Sequence, residues 1–473
     1  QIHGEVAARM EAYVWPEVPP SENLMDYITN GVHVPTFLAA AWVNLFDLRW
    51  GVQWRNEFLN RTFWERIDDL PDSAFWSVRQ LLRFDLLREI KVRATAQFRR
   101  NGYSPSLIKR LTRYLGTDGD MLVLGFARRF ATYKRATLLF TDPERLARLL
   151  SDPNRPVLVI FSGKAHPHDL PGQELIRAVY RFSLRPEFEG KILVLEGYDL
   201  ALARKLVTGV DIWLNTPQYP LEACGTSGMK AGVNGVINLS VLDGWWAEGY
   251  DGENGWAITP HAEAMPAENY VHLEAQELLN ILEYEAIPLY YERNRQGYSP
   301  AWIKKAKASM KSLIPRYNTE RMVMDYVRRF YSPATRQQAL LSAHDSLAAI
   351  ELAHWKKRIA HGWPEVRLHL IAGPRARVKA GESLKFIVAV RLGRLTPEDV
   401  VMECIVGSGT EPGRFAIKET HPFVPKGRNA EDETLFELEF TPSRFGLQDY
   451  KLRLYPYHPL LTHRFETGLM IWV

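Results

Sequence analysis

The residues best suited to chemistry lie close together between Glu222 and Lys230, in the run EACGTSGMK. The small residues Gly225 to Gly228 stand where a loop should turn into a helix. Such residues leave the first backbone N–H groups of the helix open, and these groups favour an anion, phosphate above all. The run therefore predicts a phosphate cradle flanked by a lysine and a carboxylate. An ordinary glycine-rich turn with a surface lysine is the alternative.

A second polar group follows an apolar strand expected at 121–126 and consists of Arg128, Arg129, Tyr133 and Lys134. Three cations beside an aromatic hydroxyl suit a mobile dianion such as phosphate. We expect them at the start of a helix over 136–150, where the helix dipole opposes positive charge and an anion should compensate it. A basic helix start on the protein surface is the other interpretation.

Other polar clusters carry weaker signals. Lys164, His166 and His168 could suggest a metal, but one proline separates the histidines and no third ligand is evident, so no metal site is predicted. Residues 243–248 (DGWWAE) could line a sugar site or belong to the core, and 251–255 should form a turn. Cys224 lies beside the cradle without a histidine to activate it, so we expect a structural or ligand-lining role rather than a nucleophile.

The elements that position these clusters alternate between strand and helix. Helices at 136–150, 171–184 and 200–207 separate the strands, which are expected at 121–126, 156–161, 191–195, 210–214, 235–239 and 255–258. This order predicts an α/β fold with a doubly wound parallel sheet, in which ligands bind beyond the carboxyl ends of the strands. Each polar cluster follows a strand, so the clusters should converge on one edge.

The rest of the chain divides by pattern into flanking helices and a C-terminal β region. Residues 1–115 and 273–360 are helical in pattern, 116–272 form the Rossmann-like region, and 361–473 alternate with period two. We expect a β-sandwich of about seven strands in the last region. A helix should start at Asp72, and the many Arg and Lys residues of 75–99 should form a solvated helix face.

Bulk composition narrows the class of protein. The 473 residues suggest two or three domains, and 59 Lys+Arg against 55 Asp+Glu are too balanced to indicate nucleic acid. Two distant cysteines favour a reducing compartment, and no signal peptide or spanning apolar run is seen, so we expect a cytoplasmic protein without a membrane partner. The many aromatic residues are more typical of core packing than of carbohydrate stacking. The first residue is Gln1 and the chain starts in a helical pattern, which favours a fragment.

Several of these runs resemble motifs of the α-glucan (glycogen, starch and maltodextrin) phosphorylases. They are RRFATYKR at 128–135, GKA at 163–165, Asn30-Gly-Val, Asn234-Gly, Leu242-Asp-Gly and above all EACGTSGMK at 222–230. The resemblance extends from about Gln1 to Tyr331, and the β region is similar to the extra C-terminal domain of the short bacterial branch. It implies a retaining GT-B glycosyltransferase with two Rossmann-like halves that carries pyridoxal 5′-phosphate. Residues 116–272 would be the C-terminal half, and 1–115 a helical remainder of the N-terminal domain.

The resemblance also implies roles for the cofactor residues. Lys230 corresponds to the lysine that forms a Schiff base with the cofactor and is counted among the catalytic residues. The residues that would hold or approach the cofactor are Gly225, Thr226, Ser227, Arg128 and Tyr198.

Substrate roles follow in the same way. Arg129 and Lys134 match catalytic residues that bind the substrate phosphate. The residues matching those in contact with the glucosyl unit are Tyr133, Glu222, Ala223, Cys224 and Gly225. In the family, inorganic phosphate works beside the cofactor phosphate and takes the glucosyl group of an α-1,4-glucan as glucose 1-phosphate.

The sequence departs from the family pattern in places. Arg128 replaces a lysine and Cys224 a serine, and most of the N-terminal domain is missing, with its glycine loop and a histidine just before the match at Gln1–Glu5. We therefore expect a fragment that holds the cofactor weakly at most and does not degrade glucan alone, whereas the full-length protein would be active and possibly a homo-oligomer. Two other functions are a nucleotide-sugar-dependent glucan synthase, which needs no such lysine, and a glucan-binding scaffold using the β region.

Overall fold

The computed structural model describes residues 15–19, 22, 24–115, 120–261, 267–375, 377–379, 381–408, 415–443 and 446–473. The match at Gln1–Glu5 and the helical pattern up to residue 14 lie outside these residues. The described chain forms two compact units, one of residues 28–326 and one of residues 15–27 with 327–473. None of the helices in the described ranges combines the length and apolar character that a membrane crossing needs.

The first unit is built on a six-stranded parallel sheet in the order β3-β2-β1-β4-β5-β6. Its strands are β1 (Leu122–Ala127), β2 (Val157–Ser162), β3 (Ile192–Leu195), β4 (Ile212–Asn215), β5 (Ile237–Val241) and β6 (Gly255–Ile258). Nearly every strand residue is buried, as expected for a parallel sheet covered on both faces. The expected parallel α/β sheet is confirmed, with strand bounds within two residues of those expected.

Helices surround this sheet. They are α1 (Val34–Phe37), α2 (Ala40–Trp50), α3 (Arg61–Trp64), α4 (Asp72–Arg100), α5 (Pro105–Leu111), α6 (Pro143–Leu150), α7 (Leu170–Ser183), α8 (Leu200–Gly209), α9 (Thr226–Gly232), α10 (Trp246–Gly249), α11 (Ala267–Asn280), α12 (Ile287–Tyr291), α13 (Pro300–Leu313) and α14 (Thr319–Tyr326). A π-helical stretch, Ile281–Ala286, joins α11 to α12. The sequence predicted one helix over 136–150, and this prediction is wrong for the first half of that range. Asp142 accepts a hydrogen bond from the Arg145 N–H and caps a shorter helix that starts with Pro143.

The basic face expected on α4 is only partly solvated. Arg79 and Arg83 are 2% and 1% exposed. Arg79 donates to the carbonyl oxygens of Thr208 and Val210 at 2.6 and 2.5 Å, and Arg83 donates to Oδ1 of Asp211 at 3.0 Å. The expectation of a uniformly solvated face was wrong because helical spacing does not reveal which arginines meet the ends of buried strands. Burial lowers the pKa of Arg79 to about 10.

Helix α4 starts at Asp72 as expected, but Asp72 lies inside the first turn and makes no cap hydrogen bond. Its carboxylate accepts from Nζ of Lys307 at 2.7 Å instead. The aromatic residues before α4 form a packed cluster, in which the buried rings of Trp42, Phe46 and Trp64 meet at centroid distances of about 6 Å. Core packing therefore accounts for these aromatic residues, as the sequence indicated.

The second unit contains two four-stranded antiparallel sheets, in the orders β10-β9-β13-β14 and β11-β12-β8-β7. The strands are β7 (Arg367–Ala372), β8 (Leu384–Arg391), β9 (Val400–Ser408), β10 (Ala416–Pro422), β11 (Val424–Arg428), β12 (Thr434–Phe440), β13 (Asp449–Pro456) and β14 (Ile471–Trp472). Buried side chains of both sheets, such as Val388 and Cys404, belong to one hydrophobic cluster. Strands β10 and β11 were not expected from the sequence. Both lie at sheet edges, where proline and charged residues hide the apolar alternation.

A long helix, α15 (Ser332–Gly362), precedes these sheets. Residues 273–360 were expected to be helical, but the backbone leaves helical geometry from Ala343 to Ser346 and three of these residues have positive φ. Arg453 is fully buried in the same unit and pairs with Glu403 at 2.7 Å and with Glu22.

Candidate active site

The centre of the parallel sheet creates a crevice at the carboxyl ends of its strands. Strands β1 and β4 are neighbours there, with β2 and β3 on one side and β5 and β6 on the other. Ligands of such sheets bind where the strand order reverses in this way. Arg128 leaves the end of β1, and Glu222 lies in the loop after β4. The convergence of polar clusters on one edge, predicted from the sequence, is confirmed.

Glu222 joins the two clusters. Its Oε2 atom accepts from Nη2 of Arg128 at 2.7 Å and from Nζ of Lys134 at 2.5 Å. All three side chains are buried, so the pairing takes place in a medium of low polarity, where an unpaired charge is strongly destabilising. Two of the three cations that the sequence placed around a mobile anion thus already share a carboxylate of the protein.

Arg128 nevertheless keeps donors without an acceptor. Its Nε and Nη1 atoms are buried and have no hydrogen-bond partner among the described residues. Burial lowers the pKa of Arg128 even though the charge of Glu222 opposes this. A buried donor left unpaired costs about 1–3 kcal/mol, so unpaired buried donors are rare and call for an explanation. An anion in the crevice would provide the missing acceptor.

The remaining residues of this cluster are more accessible. Arg129 is exposed, and its Nη2 atom lies 3.5 Å from the Tyr133 hydroxyl. Nζ of Lys134 lies 4.6 Å from the centre of the Tyr133 ring. Tyr133 and Lys134 belong to a 3₁₀ turn, Thr132–Lys134, and not to the start of an α-helix. The helix-dipole argument for a compensating anion was therefore wrong. The unpaired donors of Arg128 are instead the reason to expect an anion in the crevice.

Lys230 lies in α9 as expected, one turn after Gly225, which adopts a left-handed backbone with φ +88°. Its Nζ atom is 4.4 Å from the centre of the Phe37 ring, and no carboxylate pairs with it in the described part of the chain. Burial lowers the pKa of Lys230. A half-buried amine without a counter-charge has a larger uncharged fraction at neutral pH and is a better nucleophile than a surface lysine.

Asn234 ties this helix to the N-terminal helices. Its Nδ2 atom donates to the carbonyl oxygens of Lys230 and Phe37, each at 2.8 Å. Its Oδ1 atom accepts from the Ala39 N–H at 2.8 Å. Sequence reasoning did not find Phe37, because an apolar residue in a helical pattern is indistinguishable from any core residue.

The other residues expected at the site lie around the same crevice. Tyr198 follows β3 and is half-buried, and burial raises its pKa while the charge of Arg128 lowers it. Ser227 accepts a hydrogen bond from the Trp213 indole at 3.3 Å, and Thr226 is partly exposed at the first position of α9. Ala223 is exposed.

Cys224 lies next to Asn30, which belongs to one of the runs that resemble the family. Burial raises the pKa of the Cys224 thiol, and hydrogen bonds from the side chain and backbone of Asn30 oppose that rise. A thiol whose pKa is raised is mostly protonated at neutral pH and is a weak nucleophile. This agrees with a structural or ligand-lining role.

The loop after β5 holds the loop after β4 in place. Oδ2 of Asp243 accepts from the Glu222 N–H at 2.9 Å, and the Trp245 N–H donates to the Cys224 carbonyl at 2.9 Å. Gly244 has φ +54°, and a Cβ there would lie 2.5 Å from the Cys224 carbonyl oxygen. The sequence offered a sugar site or core for this segment. Trp245 is 2% exposed and belongs to the core.

Asp243 should make stability depend on pH. Burial, more than the charge of Glu222, raises the pKa of Asp243 to about 6. Because this pKa is above that of an unfolded carboxyl, the stability it contributes is present at low pH and is lost as the pH rises through 6. The side chain in Asp243→Asn cannot ionise. We therefore expect the free energy of unfolding of this variant to rise by about 1 kcal/mol relative to that of the parent between pH 5 and pH 7. Urea unfolding of both proteins at the two pH values measures this, and an unchanged difference would contradict it.

Two of the weaker clusters are the histidines that follow β2 and the segment 251–255. His166 and His168 are exposed, with ring centroids 5.5 Å apart. Within the described ranges, no group of three or more His, Cys, Asp or Glu side chains is arranged to hold a metal ion. Asp251 accepts from the N–H groups of Glu253 and Asn254, which confirms the turn expected at 251–255.

Comparison with known proteins gives consistent matches. Residues 363–473 match the family model described as the glycogen phosphorylase C-terminal domain. The whole chain is 40% identical over 479 residues to a maltodextrin phosphorylase of Thermococcus litoralis, of which it covers 55%. It is also 43% identical over 336 residues to a glycogen phosphorylase of Aquifex aeolicus, an alignment that spans 71% of this chain and 47% of that protein.

A glycogen phosphorylase of Mycobacterium bovis is 35% identical over 99% of this chain, and the match spans 54% of that protein. The chain thus spans about half the length of the curated relatives it matches. The matched part includes the parallel sheet, the crevice and the second unit.

Proposed function

Because the chain belongs to the α-glucan phosphorylase family, we propose that it carries the cofactor and phosphate sites of a glycosyltransferase dependent on pyridoxal 5′-phosphate. The reaction would be phosphorolysis of α-1,4-glucan, which transfers a terminal glucosyl unit to inorganic phosphate and releases glucose 1-phosphate. The buried guanidinium of Arg128, with two donors that have no acceptor among the described residues, is the observation that carries the proposal.

The residues present fit the cofactor. Lys230 offers a half-buried amine without a counter-charge for the covalent link. The N–H groups at the start of α9, from Gly225 to Ser227, and the free donors of Arg128 would hold its 5′-phosphate, and Tyr198 would lie beside it. When bound, the cofactor supplies a phosphate group that works beside the substrate phosphate.

The substrate phosphate would be bound by Arg129 and Lys134. Arg129 is exposed and free to turn toward an incoming anion, whereas Lys134 is already positioned by Glu222. The side chains that set the charge of the crevice are four cations and two carboxylates: Arg128, Arg129, Lys134, Lys230, Glu222 and Asp243. The excess of two positive charges, in a site partly shielded from water, favours a phosphate group over a neutral ligand.

The glucosyl unit would contact Tyr133, Glu222 and the segment Ala223–Gly225. Glu222 would have two tasks, since a carboxylate that accepts from Arg128 and Lys134 through Oε2 still has Oε1 for a sugar hydroxyl. Asp243 and Gly244 would keep this segment in position.

The architecture supports the same proposal. The parallel sheet, with its order β3-β2-β1-β4-β5-β6, would be the C-terminal Rossmann-like half of a GT-B enzyme. The two antiparallel sheets of the second unit, which share a hydrophobic cluster, would be a β-sandwich.

Replacing Arg128 tests the proposal. We expect Arg128→Ala to weaken capture of pyridoxal 5′-phosphate by about tenfold or more, since a charge-assisted hydrogen bond contributes about 1.5–3 kcal/mol. Capture of pyridoxal, which lacks the phosphate, should change little. Absorbance titration of the 473-residue chain with each aldehyde measures the difference. Arg177→Ala, which removes an exposed arginine paired with Glu174, is the control. An equal loss of affinity for pyridoxal 5′-phosphate and for pyridoxal in Arg128→Ala would contradict the role of Arg128 in phosphate binding.

A further inference from the structure

The second unit contains a cavity of about 800 Å³ that has no part in the proposed reaction. It lies where the β7–β8 and β12–β13 connections pass the ends of the two antiparallel sheets. Ligand pockets typically have volumes of about 300–1,000 Å³, whereas a packed domain leaves few voids larger than a water molecule. The volume thus falls in the range of ligand pockets, and exposed lining residues such as Leu447 make this pocket open to solvent.

One wall of the cavity is aromatic. The Phe386 ring is buried, and the Tyr450 ring stands against it at a centroid distance of 5.1 Å and an angle of 75°. Phe440 stacks on Phe386 at 6.2 Å. Tyr450 is 42% exposed and Leu447 is 95% exposed, so the wall offers apolar surface that the described residues leave open.

The rim of the cavity is basic. Arg375, Arg377 and Lys379 line it from the β7–β8 connection and are exposed. None of the three side chains has a carboxylate partner among the described residues. Asp449 also lines the cavity, which leaves an excess of two positive charges. Three cations at alternate positions beside an apolar wall complement a molecule that is flat and apolar at one end and anionic at the other.

We propose that this cavity binds an organic phosphate with a planar aromatic body, of the nucleoside phosphate class. The body would lie against Tyr450 and the phosphates would meet Arg375, Arg377 and Lys379. A neutral glucan would leave the three cations unused, and a small inorganic anion would leave the aromatic wall uncovered. The proposal does not depend on the phosphorylase reaction, because every residue in it belongs to the second unit.

Calorimetric titration of the 473-residue chain with ATP tests the proposal. Saturating inorganic phosphate should be present, to occupy the cationic crevice of the first unit. We expect saturable binding at one site, with adenosine and inorganic triphosphate each binding about tenfold more weakly or worse than ATP. Absence of saturable binding, or equal binding of inorganic triphosphate and ATP, would overturn the proposal. Binding of maltoheptaose that competes with ATP would also overturn it.

Variants locate the site. The triple variant Arg375→Ala, Arg377→Ala and Lys379→Ala should weaken ATP binding by about tenfold or more, and Tyr450→Ala should weaken it while Tyr450→Phe retains it. The matched control is Arg394→Ala, which removes an exposed arginine of the same unit that does not line the cavity. Circular dichroism shows whether each variant is folded. Unchanged ATP affinity in the folded triple variant would overturn the proposal.

Discussion

Replacing Lys230 with alanine should abolish covalent capture of pyridoxal 5′-phosphate. Lys230 is half-buried, lies against the Phe37 ring, and has no carboxylate partner among the described residues. Burial lowers its pKa, so its amine is available as a nucleophile at a lower pH than an exposed lysine. We expect borohydride reduction of the cofactor-treated chain to label one lysine, with the label falling to background in Lys230→Ala. Peptide mass spectrometry of the reduced protein identifies the labelled position.

Lys205→Ala is the matched control for this experiment. Lys205 is a lysine of α8 whose side chain is 44% exposed and lies 3.7 Å from a carboxylate oxygen of Asp85. It should contribute nothing to specific capture, and its removal should leave the label on Lys230 unchanged. Labelling of the Lys230→Ala chain at the parent level would show that capture takes place at surface amines, and the assignment of Lys230 would then be wrong.

Among the single substitutions proposed for this chain, Asp211→Ala should cause the largest loss in the free energy of unfolding. Asp211 is 2% exposed and its Oδ1 atom lies 3.0 Å from Arg83 and 3.6 Å from Arg79, while Oδ2 accepts from the Val123 N–H at 3.0 Å. Removing the carboxylate takes away the acidic side chain that contacts both buried guanidinium groups. Breaking a buried pair in this way costs about 3–5 kcal/mol. Urea unfolding of the chain measures the loss.

Two comparisons distinguish this loss from an ordinary surface effect. Asp85→Ala removes a carboxylate of α4 that pairs with the exposed Arg88 at 3.2 Å and should cost less than about 1 kcal/mol. Adding Arg83→Met to Asp211→Ala should restore part of the lost stability, since it removes a buried charge and keeps the apolar stem. Equal losses for Asp85→Ala and Asp211→Ala would contradict the argument.

The sequence predicted the parts of the site that depend on local pattern. The strands around Leu122–Ala127 and Ile212–Asn215 were identifiable because runs of buried apolar residues end in polar clusters. Their order in the sheet then brings Arg128 and Glu222 to one crevice. The position of Lys230 one turn into a helix also followed from its own neighbours, since glycine and small residues mark a helix start.

What the sequence could not predict depends on pairs that are distant along the chain. The sequence did not indicate that Glu222 bonds to Arg128 and Lys134, which are 94 and 88 positions away along the chain. Arg79 and Arg83 were expected on a solvated face of α4. Their burial depends on contacts with the segment after α8, which the residue pattern of α4 does not reveal. The same limit applies to the edge strand Ala416–Pro422, whose polar residues are typical of both edges and loops.

The hydrogen bonds of Asn234 also have a consequence for synthesis. They reach from the end of α9 to the Phe37 carbonyl and the Ala39 N–H, contacts that span 197 and 195 residues of sequence. Contacts of such separation form late, because a long stretch of chain must close before they contribute. A growing polypeptide therefore presents residues 34–39 to the cell well before their partner has been made. Lys230 would reach its half-buried position only after residues 34–39 and Asn234 have come together. Only a chain that has already folded would therefore bind the cofactor selectively at this lysine.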